Sequence, residues 1–449
     1  MKKLKRFIAL LLFACLALTA VACGSTSGSD GPDIPDNPNP PVTETKELTL
    51  QINTSSSYTR EMWDYVITLY KKDHPDVKVT PYFGNTVNKQ FQNKWRKGNP
   101  PDFVFFDGNN LDKDTLLKEG LLYDFTEWLE TATVNGEDVK IKDKANLNYA
   151  FKYTNDAKKT ITYGMPLVIS SYGMWYDDAL FTQKKWSVPT NYSELKAFTK
   201  NKATSSCSSI IFPGAYSGYL VQGFILPALA EKGDEFFDRV ENARDKEVFT
   251  TAEFKEVMNR FVEYSKLTNA YATWNDKDHI DAQKDWLNHK AALLPCGLWL
   301  ESEMVKQLGE DFPSGIKMRY TSSPLVENQK ILVTSAVTCG IASGAKNKKN
   351  ALDFITYLYR DDVAKKFVKA TGSLSVVPVD LTGDTDISET FQAAQAVLSD
   401  KSYKQVVHVG SWGKIDSAFN DGVNSLIKGE MTVNEFCQSL VDRWEEMQS

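Results

Sequence analysis

Ala291-Ala-Leu-Leu-Pro-Cys-Gly-Leu-Trp-Leu-Glu-Ser-Glu-Met304 is the stretch on which the reading of this chain turns. Ala291 to Leu294 is a short apolar run of the kind that forms a buried strand. Pro295 and Gly297 are expected to stop it, and Glu301-Ser-Glu-Met to open a helix. The turn then falls at the carboxyl end of a strand, where open α/β sheets bind their ligands. Gly297 lets a backbone approach closely, and Trp299 offers a flat apolar face beside it. Trp299 reads equally well as a core residue, because Trp is buried on average.

Working outward, Glu47–Asn53 alternates apolar and polar residues, as a first strand does. Thr59–Lys72 has helical periodicity through Met62, Val66, Ile67 and Tyr70, and Val77–Tyr82 is a second strand. A βαβ start predicts a largely parallel sheet. Gly98-Asn-Pro-Pro-Asp-Phe-Val-Phe-Phe-Asp-Gly-Asn-Asn110 contains a buried strand at Phe103–Phe106, with Asp107, Gly108 and Asn109 at its carboxyl end. Residues 131–160 are polar and weakly periodic, the pattern of a surface excursion. Asp177-Asp178 precedes Ala179-Leu-Phe as a helix cap, since adjacent carboxylates on an extended chain point apart. Pro189-Thr-Asn-Tyr-Ser-Glu opens a capped helix, Thr251–Leu267 is another, and Leu426–Met447 reads as one helix.

Four segments, in order, resemble family 1 extracellular solute-binding proteins, the carbohydrate receptors of ABC importers related to maltose-binding protein. They are Gly98–Asn110, Ile161–Phe181, Asp281–Met304 and Thr338–Ile355. The likeness extends from Glu47 to about Met447. It implies an α/β, two-lobe periplasmic-binding-protein type II fold with a hinge between lobes. Lobe 1 would comprise 47–166 plus 336–377, and lobe 2 would comprise 167–335 plus 378–449. The first connection would pass near Pro166–Tyr172, and Ala370–Val379 would return to the second lobe.

Composition agrees with such a class. The chain has 449 residues, 42% hydrophobic and 24% charged, enough for two domains with real cores. Its formal charge of −6 becomes −10 once Lys2, Lys3, Lys5 and Arg6 are set aside, which argues against nucleic acid as a partner. Residues 1–22 have the basic start and apolar run of a signal peptide. Ala20-Val-Ala-Cys23 resembles a lipoprotein cleavage box, with Ala20 where Leu is usual and Cys23 as the lipid anchor. Cys15 fits the letters better but leaves a very short apolar run. Residues 23–46 are rich in Ser, Gly, Pro, Asp and Asn and read as a disordered tether. Cys207, Cys296, Cys339 and Cys437 are widely spaced, and no bridge is assigned.

Candidate ligand residues lie on the loops that follow strands, and each has a plainer reading. The resemblance points to Ser57 and Tyr58, which equally suit a helix start capped by Ser or Thr. Asp107, Gly108 and Asn109 suit hydroxyl recognition, since a carboxylate accepts two hydrogen bonds and Asn both donates and accepts. The same residues suit a simple Asp-Gly turn. Tyr216 and Tyr219 sit in a Gly-rich loop after Ile210-Ile-Phe, and Trp412 in a Gly-flanked loop before a helix. In the resembled family both places carry aromatics that stack on sugar, as the Gly297–Trp299 segment does.

The expected function is therefore capture of a mono- or oligosaccharide by lobe closure and delivery to a membrane permease. The receptor would act as a monomer at the extracellular face of the bacterial cytoplasmic membrane. No catalytic residue, metal or cofactor is expected. The four His lack metal-ligand spacing, and no Gly-x-Ser-x-Gly elbow is present. Asp107 and Glu301 are the carboxylates a glycosidase would need, without a motif that pairs them. A secreted carbohydrate-active enzyme, a surface adhesin, and a peptide or polyamine ligand within the same fold are the alternatives.

Overall fold

The computed structural model describes residues 46–448 apart from 56–57, 109, 155–158, 205, 270–277, 382, 385 and 409–413. Eleven strands occur among the described residues: β1 Glu47–Ile52, β2 Lys78–Phe83, β3 Phe103–Phe105, β4 Phe151–Thr154, β5 Thr160–Asp177, β6 Ser208–Ile210, β7 Ala291–Gly297, β8 Met318–Thr321, β9 Ile331–Ile341, β10 Leu374–Ser375 and β11 Lys404–Val407. They join in one sheet with the order β2-β1-β3-β9-β5-β7-β6, and β4, β8, β10 and β11 attach at its sides.

The sheet is mixed, not largely parallel. β1 runs parallel to β2 and β3, but β9 is antiparallel to both β3 and β5. The local βαβ pattern holds for the first three strands. Residues distant in sequence supply the antiparallel centre, which a local pattern does not see.

Two long strands carry the chain between two hydrophobic cores. Met165 and Val168 of β5 lie in one core, with Cys339 and Ile341 of β9. Met174 of β5 lies in the other, with Ile331 and Val333 of β9. The first core gathers residues from Leu48 to Ile169 and from Cys339 to Val377. The second gathers residues from Met174 to Val333 and from Val406 to Leu440. The two strands pair from Met165↔Cys339 to Tyr172↔Val333, with one register shift between Pro166 and Val168. β10 pairs with Ile169 and Val168 on the same stretch.

Several local expectations need correction. β7 runs through Pro295 to Gly297 rather than stopping at Leu294. β6 ends opposite Leu293, so β7 is unpaired on that side at Pro295, where a missing N–H is tolerated. The 131–160 stretch is no mere excursion. Val134, Ile141 and Tyr149 are buried, and β4 pairs with β5. The C-terminal helix is two helices, Lys414–Lys428 and Val433–Gln448. Gly429 breaks them with φ +73°, a conformation open to glycine. The Asp177 cap is present, accepting the Ala179 N–H at 3.0 Å, and Asn191 caps Tyr192–Asn201.

The Pro-Pro-Asp motif before β3 has a structural explanation. Asp102 is 2% exposed. Its carboxylate accepts the Thr49 N–H at 2.8 Å and the Thr49 hydroxyl at 2.6 Å. It also accepts the Asn347 N–H at 2.9 Å and the Asn347 amide at 2.8 Å. One side chain thus fastens β1 to the turn that follows β9. Asp102→Ala is expected to lose about 2–4 kcal/mol, because buried donors left unmet cost about 1–3 kcal/mol each. A lowered urea midpoint checks this; an unchanged midpoint would deny the carboxylate this role.

Candidate functional site

Where β5 passes between the two cores, a row of aromatic and polar side chains collects from several loops. Trp299 ends the turn after β7 and precedes the helix Leu300–Leu308. Its ring folds back over Gly297: a Cβ built there would stand 2.1 Å from the indole. Only glycine admits this approach, which is the physical content of the Gly-x-Trp spacing. Trp299 packs edge-on to Tyr172 of β5, with ring centroids 5.1 Å apart. Tyr219 meets it from another side at 5.8 Å. All three rings are half-buried, so they are neither free surface nor sealed core.

Asp107 follows β3, and its carboxylate takes the Asn53 side-chain N–H at 3.0 Å. Asn53, which follows β1, is 4% exposed, and its Oδ1 has no hydrogen-bond partner. Asn88 donates to the Asp107 carbonyl at 2.8 Å. Gly108 has φ +79°, and a Cβ there would lie 2.3 Å from the Asn53 amide. Its role is to let Asn53 close on Asp107. Burial raises the Asp107 carboxyl above the usual carboxylate range, against the lowering effect of Asn53 and the Gly108 backbone.

Tyr58 packs edge-on to Phe105, 5.3 Å between centroids. Burial raises its phenol well above the ordinary value, with Asp107 and then Tyr172 adding to the effect. Burial likewise raises the Tyr172 phenol, with Cys296, Asp107 and Asp416 adding to it. Both phenols therefore stay protonated at neutral pH and are hydrogen-bond donors. Tyr172 interacts electrostatically with Asp107 from the first core's loops and with Asp416 from the helix Lys414–Lys428.

The expected site residues thus separate. Tyr58, Asp107, Gly108, Tyr219, Gly297 and Trp299 lie in or directly beside this row. Tyr216 is 51% exposed and touches His279 edge-on at 4.8 Å, so it stands at the rim. Ser57, Asn109 and Trp412 lie outside the described residues, as does Cys23. The Gly-rich loop expected around Tyr216 and Tyr219 is a turn that enters a helical run from Gly218. Gly223 allows that run to press on β5, since a Cβ there would lie 3.0 Å from the Gly173 carbonyl.

Asn53, Tyr172 and Asp416 were not marked by sequence reasoning. Asn53 stood at the end of a strand, a signal that could have found it. Tyr172 fell at the end of the expected first connection between lobes, not at the site. Glu301 accepts the Ser388 hydroxyl, and no described contact joins it to Asp107. A separate cavity of about 510 Å³ includes Ile169, Tyr149, Leu374 and Gln405 in its lining. Ile169 and Tyr172 are three residues apart, so their side chains leave β5 on opposite faces. The cavity therefore belongs to the back of the strand pair.

Among the described residues, no group of His, Cys, Asp or Glu could hold a metal ion. None of the described helices is long and apolar enough to cross a membrane.

A Gly297→Ala variant is expected to fold but displace the Trp299 ring. The check is a changed tryptophan emission with unchanged far-ultraviolet circular dichroism. Identical emission would mean that the ring does not rest on Gly297. Asp107→Asn is expected to raise the urea midpoint slightly at pH 7. With a raised folded pKa, the burial penalty is absent below the unfolded carboxylate range and complete above the raised one, and the amide removes it. A lowered midpoint would contradict this.

Comparisons with known proteins bear on the family and the fold. The model of the bacterial extracellular solute-binding protein family matches residues 54–365. The diacetylchitobiose-binding protein NgcE of Streptomyces coelicolor is 23% identical over 309 residues, which is 67% of this chain and 64% of that protein's own length. The ABC substrate-binding protein Lmo0181 from Listeria monocytogenes, solved with cycloalternan, superposes with a TM-score of 0.66 at 18% identity, covering 90% of this chain and 99% of that one. Apo RafE from Streptococcus pneumoniae gives a TM-score of 0.70 at 15% identity, covering 91% and 100%. The chain belongs to the family of bacterial extracellular solute-binding proteins.

Proposed function

We propose that the chain is the substrate-binding component of an ABC importer and captures a carbohydrate between its two cores. The observation that carries this is the row Asn53–Asp107–Tyr58–Tyr172–Trp299–Tyr219, which joins donors and acceptors beside the first core to the aromatic faces of Trp299 and Tyr219, packed against a third cluster that contains Cys296 and Met304. A sugar has an apolar face and a rim of hydroxyls. The faces of Trp299 and Tyr219 suit the first, and the Asp107 carboxylate with the unpartnered Asn53 Oδ1 suits the second. Hydroxyls supply selection, since a ligand that leaves these groups unmet forfeits about 1–3 kcal/mol for each.

In this proposal the lobes are 47–166 plus 336–377 and 167–335 plus 378–449, closing by bending of β5 and β9. Residues 1–22 are removed, Cys23 carries lipid, and 23–46 tethers the receptor at the outer face of the membrane. The closed form passes its sugar to permease subunits. Oligosaccharides bearing N-acetyl groups are favoured within the class by the name of the Streptomyces relative. No chemical step is assigned to the chain. A second reading, a polyamine or basic peptide, draws on the two carboxylates Asp107 and Asp416 that both act on Tyr172.

Thermal melting against mono- and oligosaccharides, N-acetylated chitooligosaccharides, spermidine and peptides separates these readings. A ligand at 100 times its Kd adds about 2.7 kcal/mol and raises the melting temperature by a few degrees. A sugar is expected to do so, to be recovered intact, and to bind Trp299→Ala about 30-fold more weakly, as truncation of an anchor residue costing about 2 kcal/mol would. A shift with spermidine alone would overturn the carbohydrate reading, and recovery of cleaved sugar would replace a receptor by an enzyme.

A further inference from the structure

Behind the Trp299–Tyr219 pair lies a buried polar cluster that the capture of a sugar does not itself require. Glu303, one turn into the helix after Trp299, is 6% exposed. Its carboxylate takes the Gln283 side-chain amide at 2.9 Å and lies 3.5 Å from His279 Nε2. Gln283 is 1% exposed and also faces the Cys296 thiol at 3.6 Å. Two polar atoms of this cluster, His279 Nδ1 and Gln283 Oε1, are buried without a partner. A cluster serving packing alone would be better filled by apolar side chains of the same volume.

The cluster meets the site most directly through the Tyr219 ring. Tyr219 stacks on the His279 imidazole with centroids 5.8 Å apart and planes at 15°. The same ring also meets Trp299. Tyr216 closes on the same imidazole edge-on. His279 is thus the floor on which the ring beside Trp299 rests, and Glu303 holds that floor. An imidazolium under an aromatic face is attracted by the ring quadrupole as well as by Glu303, whereas a neutral imidazole loses both terms.

We propose that His279, anchored on Glu303, is a positioning residue for the Trp299–Tyr219 face, and that ligand affinity falls as His279 loses its proton. The charged or titratable groups that face it are Glu303 from the helix Leu300–Leu308, Tyr216 and Tyr219 from the turn after β6, and Asp278 at the start of its own helix. Cys296 of β7 stands behind Gln283. The Glu303 hydrogen bond raises the imidazole's proton affinity above the ordinary value, against burial, and Glu303 and Asp278 charges add to it. With the folded pKa raised, the protonated pair is complete below about pH 6.5, the ordinary imidazole value. It is lost as pH climbs through the raised one. The affinity statement rests on the carbohydrate reading, but the ring placement does not.

Two measurements on the full chain keep these apart. The first uses no ligand: tryptophan emission is followed from pH 5 to 9 in wild type, His279→Gln, Glu303→Gln and Trp299→Phe. A step near or above neutrality in wild type is expected, absent from all three variants. Glu303→Gln keeps the shape and an acceptor for Gln283, so it serves if His279→Gln fails to fold. A wild type without the step, or a step that survives in both His279→Gln and Glu303→Gln, overturns the proposal. The second titrates N,N′-diacetylchitobiose by calorimetry over the same pH range. Affinity about tenfold higher below the step, and a flat profile in Glu303→Gln, support the proposal. Binding with a flat wild-type profile overturns it and leaves the receptor reading standing. A step in emission with no binding at any pH supports the ring placement and counts against the sugar.

Discussion

The antiparallel ladder between β5 and β9 is the constraint on which the rest of the molecule depends. Both strands begin in one hydrophobic core and end in the other, and they hold each other through the intervening stretch from Val168↔Val337 to Tyr172↔Val333. The register shift between Pro166 and Val168 is as important as the pairing. One extra residue on a strand reverses the face presented by everything beyond it. That shift sets Tyr172 toward Trp299 and leaves Ile169 to the cavity behind.

Around the ladder, the site is made by close approach. Two glycines remove a Cβ where a side chain must lie against backbone: Gly297 beneath the Trp299 indole, and Gly108 beside the Asn53 amide. Neither needs to touch a ligand to be indispensable. Each instead determines where a neighbouring side chain rests, so that Trp299 and Asp107 hold their positions before anything binds. Pre-positioning of this kind lowers the entropy lost on binding. The unpartnered Asn53 Oδ1 beside Asp107 is the complement: a polar atom kept dry and unmet at a cost that an incoming donor would relieve.

Asp102 and Asp107, five residues apart and both flanking β3, show how context divides identical chemistry. Asp102 is surrounded by four donors from Thr49 and Asn347 and works as a fastener. Asp107 takes the Asn53 amide and the Gly108 backbone, and lies half-buried beside two tyrosines. The resemblance set the expected ligand loop at Asp107–Asn109, after the strand; Asp102, before it, is scaffold.

The chain by itself determined the elements and their punctuation. The apolar runs of β3 and β7, the caps at Asp177 and Asn191, the Gly297–Trp299 turn and the ordered family segments were all legible, because each depends on neighbours within a few residues. It likewise marked Asp107, Trp299, Tyr58 and Tyr219. Only the tertiary structure decided which of these meet. Asn53, Tyr172, Asp416 and the His279–Glu303–Gln283 cluster carry no local motif. Their roles come from contacts such as Asn53–Asp107, 54 residues apart, and Tyr172–Trp299 across two strands. Local sequence specifies backbone conformation through short-range sterics and hydrogen bonding. A site between two cores is instead specified by strand register and by the space left between rings, and these exist only once distant segments have packed.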